Sequence, residues 1–244
     1  MKLEGKVALV TGARQGLGKS IALGLAEAGA DLVVVDRVLD DGKLAKVAEE
    51  IQGLGRRSVY SGGDITVESD VDAMVKKAID EFGKIDVLVN NAGVTTPDSF
   101  LKLSIKRWNL VMSVNLDGTF VCTKAVLPKM IEQGSGCVIN VSSILAEQIK
   151  FSIPYGVTKA GVERLTKGLA REMRKNENIA ITCIRPYFVK TEVVTEFLPD
   201  VDTSDWETPE MWCKYTAMVA GADAKDITGK ILDKKALVEM FGEV

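Results

Sequence analysis

Short apolar runs alternate with longer stretches in which apolar residues return every three or four positions, and this alternation repeats along most of the chain. Val7-Ala8-Leu9-Val10, Leu32-Val33-Val34-Val35, Val87-Leu88-Val89, Val138-Ile139-Asn140-Val141 and Ile179-Ala180-Ile181-Thr182 read as strands. They are continuous rather than alternating, as expected where both faces of a sheet are covered. Between them, Leu44, Val47, Ala48 and Ile51 share one helical face, and Val71, Met74, Val75, Ala78, Ile79 and Phe82 share another. Gly53, Gly55, Gly83, Gly134 and Gly136 fall where such helices must stop and turn back. Repeated strand–helix–strand units with short connections predict an α/β fold, a doubly wound, mostly parallel sheet with helices on both faces. Ligands of such a sheet bind at the carboxyl ends of its strands. No Gly/Ser-rich linker breaks the pattern, so residues 1–244 are expected to form a single domain. After Pro186 the texture changes: Thr191 to Thr216 turns acidic, holds Trp206 and Trp212, and is expected to form a short helical lid over about 191–216.

Composition narrows the chemistry. With Lys+Arg 31 against Asp+Glu 34 the net charge is −3, so no broad positive field exists to hold nucleic acid or an anionic membrane surface, and neither partner is expected. The opening Met1-Lys2-Leu3-Glu4-Gly5-Lys6 has no apolar signal segment, and no stretch approaches the roughly 20 apolar residues that cross a bilayer. Cys122, Cys137, Cys183 and Cys213 are far apart and form no C-x-x-C pair, which suits small buried thiols in a reducing cytoplasm. Histidine is absent, which removes the usual metal ligand and the usual base of a Ser or Cys hydrolase. No metal is expected, and proton chemistry is left to Tyr, Lys or a carboxylate.

The first strand runs into Thr11-Gly12-Ala13-Arg14-Gln15-Gly16-Leu17-Gly18, with a helix starting at about Leu17. Glycines here allow positive φ, close backbone approach to a diphosphate, and close packing of helix on strand. The free amides and positive dipole end of the helix then face the anion. Asp36 ends the second strand, 18 positions beyond Gly18, near the spacing at which a carboxylate accepts hydrogen bonds from an adenosine ribose. That carboxylate would repel a 2′-phosphate, so NAD is favoured over NADP, although Arg37 and Arg14 stand close enough to welcome one. A rival reading takes Gly18-Lys19-Ser20 as the end of a phosphate-binding loop of a nucleotide triphosphatase. Its spacing fails, because G-x-x-x-x-G-K-[ST] needs glycine at position 13, where Ala13 stands.

Four further features follow in order: Asn90-Asn91-Ala92-Gly93, Asn115 on a helix, Ser142-Ser143 at a strand end, and Tyr155 followed four residues later by Lys159. With T-G-x-x-x-G-x-G, they resemble the short-chain dehydrogenase/reductase family over nearly the whole chain. The resemblance implies hydride transfer between NAD(H) and a secondary alcohol or ketone, of the 3-oxoacyl reductase or the sugar and alcohol dehydrogenase kind. The alternative is a non-catalytic nucleotide sensor on the same fold. Tyr155 and Lys159 project from one helix face, and an adjacent ammonium together with the positive nicotinamide is expected to lower the phenol's pKa from about 10 towards use as an acid/base.

By resemblance, Lys159 also bonds the nicotinamide ribose, and Asn115 helps hold a water in the proton relay. A blander alternative makes Asn115 a helix-interior polar residue satisfying backbone groups. Ser143, 12 residues before Tyr155, is expected to hold the substrate oxygen, with Ser142 as the alternative. The family's cofactor contacts fall on Gly12, Arg14, Gln15, Gly16, Leu17, Gly18, Asp36, Arg37, Asp64, Ile65, Asn91, Ala92, Gly93, Pro186, Val189 and Thr191, besides Tyr155 and Lys159.

Two departures stand out. Tyr187 replaces the glycine usual after Pro186, and Asp233-Lys234-Lys235 with a helical Ala236 to Phe241 replaces the usual Asp-Gly-Gly ending. In relatives that end packs at a tetramer interface, so a homotetramer is expected only by default. Thr191 to Trp212 carries seven acids, which favours a neutral or modestly polar small-molecule substrate.

Overall fold

A computed structural model describes residues 2–149, 152–197 and 201–244. The strands are β1 (Val7–Thr11), β2 (Asp31–Asp36), β3 (Ser58–Gly62), β4 (Val87–Asn90), β5 (Gly136–Val141), β6 (Ile179–Ile184) and β7 (Ile231–Leu232). All seven form one parallel sheet in the order β3-β2-β1-β4-β5-β6-β7. The helices are α1 (Gly16–Glu27), α2 (Lys43–Gly53), α3 (Glu68–Phe82), α4 (Ile105–Met112), α5 (Gly118–Gln133), α6 (Ile153–Glu172), α7 (Glu192–Phe197), α8 (Pro209–Ala220), α9 (Ala224–Ile227) and α10 (Lys234–Phe241).

Successive residues of a strand feed opposite cores, because the side-chain period is two. Ala8, Val10, Leu32 and Val34 meet Ile21 and Leu25 of α1, Leu44 and Ile51 of α2, and Trp212 and Tyr215 of α8. Leu9, Val33, Val35 and Leu88 meet Val71 and Met74 of α3 and Cys122, Val126 and Met130 of α5. The five apolar runs read from the sequence are β1, β2, β4, β5 and β6. β3 carries no continuous apolar run because it is an edge strand, and only Ser58 and Ser61 are buried on it. All four cysteines are buried and free, and burial pushes the thiols of Cys122, Cys137 and Cys183 up to about 12 and that of Cys213 up to about 11, so they are inert packing groups.

Two expectations are corrected. The acidic stretch 191–216 is not one lid: its last part belongs to α8, where Trp212, Tyr215 and Thr216 are fully buried against α1. The acids that precede α8, with Glu210 in its first turn, obscured that inner face; residues 198–200 of the expected lid lie outside the described residues. A π-turn, Ser113–Asp117, also fuses α4 and α5 into a 29-residue helical run, long and apolar enough by length and composition to cross a membrane. Val111, Asn115, Val126 and Met130 of that run are buried in the fold, and such a core helix passes the same test.

The strand order reverses between β1 and β4, which opens a crevice at their carboxyl ends. At the back of α1, the helix approaches α8 through Gly24, where a Cβ would stand 2.7 Å from Cys213 Cβ. Gly24→Ala is therefore expected to cost about 1–3 kcal/mol by overpacking, measured as a lower urea midpoint with an unchanged slope.

Candidate active site

The turn after β1 is built for an anion. Gly12 and Gly16 have φ of +65° and +58°, which side-chain-bearing residues rarely adopt. A Cβ on Gly18 would lie 2.2 Å from the Gly12 carbonyl oxygen and 2.3 Å from Asn91 Nδ2, so only glycine lets α1 start so close to the strand end. Asn91 and Ala92 dock on the same turn. Their amides donate to Thr11 Oγ1 at 3.1 Å, and Asn91 Nδ2 donates to the carbonyls of Thr11 (3.0 Å) and Gly12 (3.2 Å).

The Gly16 amide, at the head of α1, donates to Glu192 Oε1 of α7 at 2.8 Å. A carboxylate thus already sits where the helix dipole and free amides favour negative charge. Glycines with no room for a Cβ and an amide held by an anionic group fit the diphosphate of a dinucleotide.

Asp36, at the end of β2, accepts the Val38 amide on Oδ1 (3.0 Å), while Oδ2 has no partner among the described residues. Arg14 reaches both carboxylates nearby, with Nη1 bonded to Asp41 and Nε 3.7 Å from Asp36 Oδ1. Arg37 is mostly exposed and lies 3.6 Å from Asp64. Partial burial opposes ionisation of Asp64, yet the Thr66 amide and hydroxyl and the Arg37 guanidinium hold its carboxyl below its ordinary value. Ile65 is buried against Gly118, where a Cβ would come within 2.6 Å. Lys43 Nζ donates to Gln15 Oε1 at 3.4 Å, and Leu17, in the first turn of α1, packs against the core.

The proton-bearing groups gather where β5 ends. Lys159 Nζ donates to the Val141 carbonyl at 2.7 Å and sits 5.4 Å from the centroid of the Tyr155 ring. Ser143 caps a short 3-10 turn by accepting the Leu145 amide (3.2 Å), and its side chain acts on the Tyr155 phenol, opposing the upward push of burial. Ser142 points elsewhere, donating to Glu163 Oε1 at 2.8 Å and lying 3.4 Å from the Lys159 carbonyl oxygen.

The protein groups by themselves act against the expected lowering of the phenol. Burial pushes the Tyr155 phenol up to about 12, with Ser143 opposing, and pushes Lys159 down to about 8. The lysine lies over the ring rather than on the hydroxyl, so in this pocket desolvation outweighs the ammonium's pull.

Asn115 lies in the π-turn, fully buried. Its Oδ1 accepts the Val94 amide (2.8 Å), and its Nδ2 donates to the Val94 carbonyl (2.9 Å) and to Thr158 Oγ1 (3.1 Å). The side chain spends both donors tying the segment after Gly93 to α6. Gly93 itself is exposed beside it, with Asn115 Oδ1 3.3 Å from where its Cβ would be.

Beyond β6, the Pro186 carbonyl accepts the Ile144 amide at 2.8 Å, Val189 forms a bridge with Glu207, and Thr191 is buried at the start of α7. Tyr187 and Phe188 meet edge to face at 4.8 Å, and Phe188 stacks on Trp206 at 5.2 Å.

Several residues at the site carry no sequence motif. Glu192 reaches α1 only through the fold, and Glu163 and Arg185 pair beneath Ser142. Asn90 donates to Asn140 Oδ1 (2.8 Å) and Thr123 Oγ1 (3.0 Å) in a buried polar layer that locks β4 to β5. Asn90 opens the Asn90–Gly93 motif and Asn140 stands inside an apolar strand run, so these two did carry a sequence signal.

A family model described as short chain dehydrogenase matches residues 6–202. The chain belongs to that family: it is an oxidoreductase that moves a hydride between a nicotinamide cofactor and the CH–OH carbon of a small-molecule substrate. It is 35% identical over 241 residues to the BbsD subunit of a hydroxy(phenyl)methylsuccinyl-CoA dehydrogenase of Thauera aromatica, covering 95% of this chain and 96% of that one. It is also 35% identical to the 3-oxoacyl acyl-carrier-protein reductase FabG of Staphylococcus aureus, covering 93% and 95%. Among solved structures, a short-chain type dehydrogenase/reductase from Mycobacterium marinum superimposes with a TM-score of 0.87 at 30% identity, covering 95% and 94%.

Asn115→Leu keeps the volume but strips the Val94 amide and carbonyl of partners. Each orphaned buried group is expected to cost about 1–3 kcal/mol, read as a lowered calorimetric Tm.

Proposed function

We propose that this chain interconverts an uncharged secondary alcohol and its ketone with NAD rather than NADP, and that Tyr155 exchanges the substrate proton. The observation that carries the reading is the division of labour at the end of β5: Ser143 meets the Tyr155 phenol, while Ser142 is committed to Glu163. Ser143 and Tyr155 together form a two-point cradle for one substrate oxygen. Lys159, one helical turn along, supplies positive charge beneath the ring and a donor for the nicotinamide ribose. When bound, the nicotinamide supplies the hydride chemistry. A neutral phenol at rest is ready to give its proton to a ketone oxygen, and the Lys159 ammonium then steadies the phenolate left behind. We assign the relay water to the backbone of the Asn115 π-turn, since the amide's donors are spent.

For the cofactor, Gly12, Gly16, Leu17 and Gly18 with Arg14 and Gln15 surround the diphosphate. Asp36 takes the adenosine ribose through its free Oδ2. Arg37, Asp64 and Ile65 flank the adenine, Asn91 to Gly93 the ribose side, and Pro186, Val189 and Thr191 the carboxamide. The preference for NAD is supported by the Asp36 carboxylate and by Asp41, which already neutralises Arg14. Glu192 competes with the diphosphate for the Gly16 amide.

An uncharged substrate is supported by the acids beyond β6 and by the Tyr187–Phe188–Trp206 aromatic contacts. One domain doing both tasks, in a reducing cytoplasm, is supported by the single sheet and four free buried thiols. A homotetramer is supported by exposed apolar side chains on the α4–α5 run, Ile105, Leu110 and Phe120. The C-terminal end differs from relatives, for α10 is tied to α8 through a Tyr215 hydroxyl that donates to the Gly242 carbonyl (3.0 Å).

The direct test is Tyr155→Phe, assayed with NADH and a panel of ethyl acetoacetate, acetophenone and cyclohexanone. Turnover is expected to fall about a hundred- to ten-thousand-fold while NADH affinity by fluorescence titration stays within about twofold. Unchanged turnover would remove Tyr155 from the chemistry. Because the folded Lys159 value, about 8, lies below its ordinary 10.5, the ammonium is lost as pH rises through that value. The kcat/KM for ketone reduction is accordingly expected to be level below about pH 8 and to fall above it in a pH–rate profile.

A further inference from the structure

The pair Glu163–Arg185 lies under the proton-bearing groups and touches no reacting atom. Glu163 is 7% exposed and the Arg185 side chain 11%. Arg185 Nε and Nη2 each donate to one carboxylate oxygen at 2.8 Å, fork to fork, and Nη2 also reaches Glu147 Oε1 at 2.8 Å. This bidentate geometry fixes direction as well as distance.

Its placement is what matters. Glu163 follows Lys159 by one turn of α6, and its Oε1 also accepts the Ser142 hydroxyl (2.8 Å), which lies 3.4 Å from the Lys159 carbonyl. Arg185 directly follows β6, with its amide donating to the Leu232 carbonyl at 2.9 Å. The next residue, Pro186, accepts the Ile144 amide, one residue after Ser143. Glu147 lies in the same turn. A closed circuit thus runs from the end of β5 through α6 and Arg185 to the turn that carries Ser143.

Stability alone gives little reason for such a pair, because desolvating two charges costs several kcal/mol and an apolar pair of similar volume is often as stable. We propose that Glu163 and Arg185 are positioning residues, an ion pair that sets the height of Ser143 and Lys159 against the Tyr155 phenol. The inference rests on the catalytic reading of those three residues. It adds two groups that neither form nor break a bond in the reaction.

The test uses the full chain, NADH and whichever panel ketone the wild type turns over fastest. In Glu163→Leu/Arg185→Met the volume is kept and the charges are gone. The expected result is a Tm equal to or above wild type and NADH affinity within twofold, with kcat at least tenfold lower. The primary isotope effect with NADH deuterated at the transferred hydrogen should be larger. Wild-type kcat in that stable variant would show the pair to be structural and overturn the proposal.

If the double variant does not fold, Arg185→Lys keeps the charge but cannot fork. A tenfold loss of kcat with KM and NADH affinity within twofold supports positioning, and unchanged kcat overturns it. Tyr155→Phe separates the two readings: if it leaves turnover intact, the catalytic assignment fails first, whatever the pair does.

Discussion

The bond from Lys159 Nζ to the Val141 carbonyl is the contact on which the site depends. It buries a lysine at 4% exposure and seats α6 on the end of β5. That seating lets three consecutive residues serve three purposes: Val141 anchors the lysine, Ser142 joins Glu163, and Ser143 faces the phenol. A strand alternates its side chains between faces, so neighbouring serines cannot share one task.

The cost of that arrangement is electrostatic. Both Tyr155 and Lys159 are driven towards their neutral forms by burial, in opposite pKa directions. A resting centre of this kind holds its proton on the phenol and suits proton donation. Positive charge introduced above the ring would favour the phenolate, so the centre's basicity depends on what occupies the cleft. The crevice beside it is already polarised, with the Glu192 carboxylate at the head of α1 and the Asp36 carboxylate at the end of β2.

Polar groups beneath the site are arranged in bonded layers rather than left isolated. Asn90, Asn140, Thr123 and Thr166 link β4 and β5 to the helices that cover them, while Asn115 links the Gly93 segment to α6. The amide nitrogens of Asn90, Asn115 and Asn140 all have partners, as a low-dielectric interior favours, while Asn90 Oδ1 is buried without one. The layers give the strand ends fixed heights, and the side chains of Ser143, Tyr155 and Lys159 inherit those heights.

The sequence by itself determined the parallel α/β architecture, because strands covered on both faces must be continuously apolar and helices between them must show a 3.6 period. It also determined the glycine turn and the Tyr155/Lys159 spacing, since positive φ and a shared helix face are local properties. β3, an edge strand with polar residues, shows no apolar run of its own, and the expected lid ran into α8, whose inner face is visible only once α1 is packed against it. Whether Ser142 or Ser143 faces the phenol, that Glu192 reaches Gly16, and that Glu163 meets Arg185 were decided by the tertiary structure alone. These are contacts between residues 12 to 176 positions apart, and no local propensity encodes them. The sign of the Tyr155 shift belongs with them, because desolvation is set by everything that packs around a group and not by its neighbour on the helix.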